Sequence, residues 1–269
     1  MNWIAGQKAR CFATATMLAL LATSGCKKNA PEQSGEPKPA ASTAYTPIDP
    51  ATAGTITGTI HFEKTPPPRV QIDMAQDPVC GIAPDNFSEQ YVVKNGGLQN
   101  VFVYIREGLG GKIFAPSTTP VVLDQKGCRY TPHVIAAMVG QPVDFRNSDA
   151  TMHNVHLLPD VNGNQTMDVS QPPRGGETQR VFSKPEFMLP VRCNNHPWMQ
   201  AFVNISPNPF FAVSDENGHF EIKGLPPGTY TLVAIHEVSG EQSTQLTVKP
   251  QTTTTADFNF AAASGVKAN

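Results

Sequence analysis

Residues 193–199 read CNNHPWM, placing a thiol (Cys193), an imidazole (His196) and a thioether (Met199) within seven positions. Soft sulfur beside borderline nitrogen in so short a span is a pattern for holding a metal. Forty residues upstream, HNVH (153–156) offers a second imidazole, His153, after a polar loop and at the start of an apolar run. Two imidazoles, one thiolate and one weak thioether form the donor set of a blue-copper site, with His₂Cys in a plane and a distant axial Met. Zinc would want a fourth N, S or carboxylate donor at close range, and Met199 argues against it. A zinc site and a site that binds no metal remain the alternatives. His156 stands three residues after His153, so a strand points the two side chains to opposite faces and only one can ligate.

Positioning these donors requires a short loop between neighbouring strands for Cys193, His196 and Met199, and an adjacent strand for His153. The chain supplies strands in abundance. GTITGTIHF (54–62) alternates Thr and Gly with Ile, and LQNVFVYI (98–105), VVLD (121–124) and PHVIAAMVG (132–140) follow. QPVDFRN (141–147), HNVHLL (153–158), TQRVFS (178–183), FMLPVRC (187–193) and AFVNI (201–205) continue the series. FFAVSDENGHFEI (210–222) contains Asn217-Gly218, a strong hairpin signal. GLPPGTYTLVAI (224–235), QLTV (245–248) and ADFNF (256–260) complete it. No helical periodicity is sustained after residue 26, and the reading is all-β. The apolar fraction of 39% over 269 residues suits two small cores rather than one large one. His133 is expected at the surface, His61, His219 and His236 read as ordinary strand residues, and Met138 and Met152 read as packing.

The N-terminus reads as a processing signal. Lys8 and Arg10 precede an apolar run, CFATATMLALLA (11–22), too short to span a bilayer as a stable helix. The run ends in TSGC, which resembles a bacterial lipobox and makes Cys26 the lipid-bearing first residue after removal of 1–25. Thr23 departs from the usual Leu, leaving ordinary secretion as the alternative. Residues 26–50, rich in Pro, Ala and Ser, read as a disordered tether. Losing Lys8 and Arg10 takes the formal net charge from −2 to −4, and no basic cluster for nucleic acid remains. In an oxidising envelope Cys80 and Cys128 are expected to pair. Such a bridge stabilises by about 4 kcal/mol in the chain-entropy model. A dinuclear copper centre using Cys128 is a poor reading, because the ligand loop carries a single cysteine.

HNVH followed by C-x-x-H-P-aromatic-M resembles the cupredoxin (blue-copper) family, and within it the amicyanins with their short ligand loop. The resemblance covers about residues 113–206. It implies one type 1 copper, with His153, Cys193 and His196 equatorial and Met199 axial, and Asn154 hydrogen-bonding across to the ligand loop. Arg192 and Pro190 depart from the usual pattern near the ligand cysteine. It also implies that one His196 edge lies near solvent, with Pro197 and Trp198 forming an electron-port patch for a periplasmic cytochrome or dehydrogenase. The G-x-I-x-G-x-I run at 54–60 and the D-x-x-G-x-F…L-P-P-G-x-Y-T-L segment at 215–232 resemble the carboxypeptidase regulatory-like (transthyretin-like) β-sandwich. Those segments belong to one domain, so residues 51–112 and 208–262 are expected to form one smaller sandwich with the cupredoxin domain, 113–207, inserted. The function implied is single-electron transfer by a non-enzymatic carrier, lipid-anchored in the periplasm or cell envelope, with the outer membrane as the expected anchor. Copper storage or delivery, and an envelope module binding protein or carbohydrate around a structural copper, are the alternatives. An oxidase is disfavoured, since the chain has no His-x-His or His-Cys-His pair and no CxxCH haem motif.

Overall fold

A computed structural model describes residues 44–82 and 86–263. The leader, the lipidation position Cys26 and most of the expected tether lie outside the described residues. Thr46 donates to the Ile113 carbonyl at 2.6 Å, and Tyr45, Pro47 and Ile48 line a groove with Phe114 and Pro209. Residues 44–50, expected as free tether, therefore lie against the folded body.

Among the described residues all regular elements are strands. The first stretch holds β1 (Gly54–Phe62), β2 (Val93–Lys94), β3 (Gly97–Leu98) and β4 (Phe102–Glu107). The middle stretch holds β5 (Val121–Gln125), β6 (Tyr130–Thr131), β7 (Val134–Met138), β8 (Pro142–Asn147) and β9 (His153–Leu157). It continues with β10 (Met167–Gln171), β11 (Thr178–Val181), β12 (Glu186–Arg192) and β13 (Gln200–Ser206). The last stretch holds β14 (Phe211–Val213), β15 (His219–Leu225), β16 (Gly228–His236), β17 (Gly240–Val248), β18 (Thr253–Thr255) and β19 (Phe258–Phe260).

The first and last stretches share two sheets. In one, β15, β1, β3 and β2 follow in order and β18 and β19 run parallel to β1; in the other, β14, β4, β16 and β17 do. Burial along β1 alternates because one face meets the core, where Ile56 and Ile60 pack with Val103, Phe220, Ile222 and Leu232. The middle stretch builds the other two sheets, β10-β9-β12-β13-β7 and β11-β8-β5-β6. Phe145, Val155, Leu157, Val191, Val203 and Ile205 fill the space they share. The two bodies meet through Phe102 and Tyr104 of β4, whose rings lie 5.8 and 4.5 Å from that of Phe187 on β12.

Asn217-Gly218 forms the tight turn its sequence announces, with Gly218 N–H donating to the Asp215 carbonyl at 2.9 Å. The flanking strands, however, join different sheets, so the turn crosses the sandwich instead of closing a two-stranded ladder. Gly218 sits at φ +78°, and a Cβ there would stand 2.4 Å from the Ile60 carbonyl oxygen of β1. Glycine is needed for both reasons.

Between β1 and β2 the described residues of 63–92 pair only through an isolated bridge, Gln71 to Phe87. This strap leaves the first body and covers the end of the second where the 193–199 loop lies. Cys80 of the strap is joined to Cys128 by a disulfide. Met74, Cys80 and Cys128 form a small buried cluster against Ile72 and Trp198.

Because β4 is hydrogen-bonded to β14 and β16, limited proteolysis without reductant should retain residues 51–112 together with 208–262. Mass spectrometry recovering 113–207 as a folded fragment, with 51–112 fully degraded, would contradict the shared sheets.

Candidate metal centre

β12 and β13 are antiparallel neighbours with Arg192 opposite Gln200, and the residues between them form the CNNHPWM loop. The loop is closed on itself: Met199 N–H donates to the His196 carbonyl at 2.9 Å, and Cys193 N–H to the Met199 carbonyl at 3.3 Å. β9 lies on the other side of β12, pairing His156 with Arg192, which brings the start of β9 beside the end of β12. His153, Cys193 and His196 thereby converge, with one donor atom from each within 4.8 Å of the others. His153 Nδ1 lies 2.9 Å from His196 Nδ1, which lies 3.7 Å from Cys193 Sγ. His153 is 0% exposed, Cys193 and His196 4%, and Met199 1%, so water is excluded from the donors. Met199 packs in the same apolar cluster as Cys193.

Asn154 ties the strand to the loop. Its backbone N–H donates to Cys193 Sγ at 3.3 Å, its Oδ1 accepts from Asn194 N–H at 3.4 Å, and its Nδ2 donates to Asp168 at 2.8 Å. The Tyr130 hydroxyl adds a second tie, its one proton shared between the Asn154 carbonyl and that of Arg192 at 3.0 Å.

Each imidazole of the cluster is backed by a carboxylate. Asp149 Oδ2 accepts from His153 Nε2 at 2.9 Å and from Cys128 N–H at 2.7 Å, while Oδ1 accepts from Gly127 N–H at 2.7 Å. Asp77, on the strap, accepts from His196 Nε2 at 3.0 Å and from the Thr151 hydroxyl at 2.8 Å through Oδ2, and from Val79 N–H at 2.8 Å through Oδ1. Burial works against the Asp77 anion, but the His196, Thr151 and Val79 donors prevail and lower its pKa to about 2. Asp149 is likewise lowered, burial being outweighed by His153 and the Cys128 and Gly127 amides. Burial favours the neutral Cys193 thiol, yet the His153 and His196 hydrogen bonds bring it down to about 7. Burial also opposes a charged His153, yet Asp149 and Cys193 raise it to about 9.

The arrangement fits a metal by its own chemistry. Both ring Nε2 atoms face ionised carboxylates and donate to them, so the two Nδ1 atoms point inward at one another, and the raised pKa of His153 places its second proton in that gap. A metal ion that displaced this proton would meet two nitrogens beside a thiol biased toward thiolate. Separations of 2.9 and 3.7 Å keep the donors of His153, His196 and Cys193 close enough to hold a single ion. A carboxylate or carbonyl behind each ligand imidazole is the usual device for fixing tautomer and ring orientation at metal sites.

Other sequence expectations are corrected. The outer edge of His196, expected near solvent, is closed by Asp77. Pro197 is exposed, but Trp198 is half-buried, donating from Nε1 to the Cys128 carbonyl at 3.1 Å. His133, expected at the surface, is 7% exposed and bonded through Nε2 to Glu237 at 2.6 Å. Met152, expected to pack, is 49% exposed; it lies with Gln76, Asp77, Pro78, Asn195 and His196 around a shallow opening. His156 is turned away from the donors and meets Asn194 Oδ1 at 2.9 Å. Asp77 and Asp149 are the residues sequence reasoning missed. The signal for Asp77 was indirect: it stands three residues before Cys80, so the disulfide that carries Cys80 to Cys128 carries it to the site as well.

No protein-family model and no curated protein sequence matches the chain. Among solved structures, a copper-containing nitrite reductase (NirK) from Thermus scotoductus SA-01 is 24% identical over 36% of this chain, with a TM-score of 0.30. The chain spans only 24% of that enzyme's length. A Cu(I) amicyanin variant is 22% identical over 32% of this chain and 82% of its own, and a reduced Cu(I) variant at pH 4 is 21% identical over 39% and 98%; both have a TM-score of 0.30.

Metal uptake must displace the His153 proton below about pH 9, and the Cys193 proton also below about pH 7. Apparent affinity should therefore fall as the pH drops, more steeply below 7 than between 7 and 9. Competition against a chelator of known proton affinity measures both slopes; one slope across the whole range would contradict the assignment.

Proposed function

We propose that this chain is a type 1 copper protein that carries single electrons between redox proteins of the bacterial envelope. The observation that supports it most is the convergence of His153, Cys193 and His196 in a water-free cluster whose two imidazoles are each oriented by a carboxylate. Copper bound there would supply one-electron chemistry, alternating between Cu(II) and Cu(I). The protein's part is to keep the donors still. The closed 193–199 loop, the Asn154 and Tyr130 ties and the carboxylates leave the donor atoms little freedom to move when the charge at their centre changes. Small rearrangement means a small barrier to electron transfer.

A carrier rather than an enzyme is favoured because the donor residues are at most 4% exposed and leave no open position where a substrate could meet the metal. Anchoring through a lipid on Cys26, and a cytochrome or dehydrogenase as partner, complete the proposal; an encounter of that kind is small and weak. A second reading, copper delivery, draws on Met152, whose exposed thioether at the mouth of the opening beside His196 is a soft donor suited to Cu(I).

Adding Cu(II) to the purified protein should give an intense blue charge-transfer band from the Cys193 thiolate, and Cys193→Ser should abolish it. A colourless protein that binds only Cu(I) would favour delivery. Absence of copper binding in either oxidation state would overturn both readings.

A further inference from the structure

Among the described residues, both carboxylates behind the imidazoles lie close to one covalent bond. Asp77 sits three residues before Cys80, and its main-chain carbonyl accepts from Cys80 N–H at 3.0 Å. Asp149 accepts from Cys128 N–H at 2.7 Å. Donor atoms of Asp77, Cys80 and His196 lie within 4.8 Å of one another, as do those of Cys128, Asp149 and His153. The Cys80–Cys128 disulfide therefore spans from the hydrogen-bond partner of one ligand imidazole to that of the other.

The two carboxylates differ in how they reach the site. Asp149 lies four residues before His153, and its turn is held locally by Asn147 Oδ1, which accepts from Asp149 N–H at 3.0 Å. Asp77 is 119 positions from His196 and belongs to a strap with no regular strand pairing over the site. Its other anchor across the gap is the Thr151 hydroxyl at 2.8 Å, and the cover is completed by Trp198 packing on the disulfide cluster. A strap without a sheet ladder needs other restraints to hold a carboxylate at hydrogen-bonding distance. Arg129 ties its far part, donating to the Phe87 carbonyl at 2.7 Å and pairing with Glu89 at 3.4 Å, while the disulfide restrains it next to Asp77 and is itself buried, Cys80 at 0% and Cys128 at 2% exposure.

We infer that Asp77 is a positioning residue for His196, held in place by the Cys80–Cys128 disulfide, so that the strap seals the outer edge of this imidazole. The inference deepens the proposed copper reading, but the hydrogen bond at its centre exists without a metal. A carboxylate on Nε2–H raises the basicity of the ring and adds negative charge close to the ion, and both stabilise the oxidised state of a bound copper. The strap would thus act on the electron-transfer centre through one hydrogen bond.

The test uses the full chain, first without metal. Nitrogen-15 NMR of the histidine rings should show slowly exchanging Nε2–H signals for both His153 and His196. Asp77→Ala, which keeps the disulfide, should remove the His196 signal and leave that of His153. The Cys80→Ser/Cys128→Ser pair should do the same, as should reduction of the native disulfide with a phosphine if the variant does not fold. Persistence of the His196 signal in Asp77→Ala would overturn the inference whatever metal the protein binds. In the copper-loaded protein, Asp77→Asn, whose Oδ1 still accepts the ring proton, should raise the midpoint potential through loss of charge alone. Opening the disulfide should raise it in the native background and leave it unchanged in Asp77→Ala, because both act through the same contact. Full additivity of the two would show that the disulfide does not work through Asp77. Absence of copper binding would bear on the proposed function and leave the metal-free NMR result to decide the positioning role.

Discussion

Two imidazole nitrogens facing each other across 2.9 Å in a site closed to water set the terms for everything around them. Each ring gives its Nε2 proton to a carboxylate, so the inner lone pairs repel unless a proton or a metal ion lies between them. Burial sharpens this requirement, because water is not available to solvate whichever charge is left unbalanced. The thiol of Cys193 faces the same space, and its lowered pKa has the same origin: the donors around it favour the anion more than burial opposes it. Without a metal the second proton of His153 fills this place, and a metal ion would enter by displacing it. The convergence of two imidazoles and a thiol on one buried point supports reading it as a candidate metal centre.

Keeping such a cluster together requires restraint from outside it. The loop alone fixes Cys193, His196 and Met199 relative to one another, and β9 brings His153 only because β9 and β12 are sheet neighbours. Tyr130 and Asn154 hold these two strands in register at the site. The remaining restraint comes from the strap and its disulfide. Closing a chain segment with a sequence separation of 48 contributes about 4 kcal/mol by restricting the unfolded chain. The more specific consequence is positional, since the bridge keeps an acidic side chain of one body against a ligand of the other.

The strands and the three donor residues of the loop were legible in the sequence because both are local patterns. Alternating Thr and Ile mark β1, and CNNHPWM keeps three donor residues within one loop, whatever the fold around them. β10 was missed: MDVSQ carries too few apolar residues to alternate visibly, and it is a strand because it pairs with the edge of β9. The 211–225 segment shows the opposite error. Its turn was read correctly from Asn217-Gly218, but the destination of the strands depends on which sheet has an open edge, and no local pattern encodes that. Burial of the His196 edge was out of reach for a related reason. Asp77 lies in a stretch with no periodicity, and its role depends on a disulfide, a crossing of two bodies and a hydrogen bond between residues far apart in sequence.

Charge gives the outer carboxylates a consequence beyond geometry. A divalent ion on Cys193 thiolate and two neutral imidazoles would, together with the partly exposed Asp77 and Asp149, leave the group with one negative charge in excess. A monovalent ion leaves two. Excess charge of one sign around buried donors is unfavourable and grows more so with each added unit, so in the proposed copper reading both carboxylates, themselves partly exposed, would bias the site toward the higher oxidation state. Asp149 exerts this bias from within the body that holds the metal ligands. Asp77 exerts it from a segment that enters from the first sandwich and leaves again to β2, which then leads into β4 and the aromatic contact of Phe102 and Tyr104 with Phe187. The first sandwich is therefore more than a pedestal: through the strap it contributes an ionised carboxylate to the surroundings of the candidate centre. Removing it while keeping His153, Cys193, His196 and Met199 would take that carboxylate from the His196 ring.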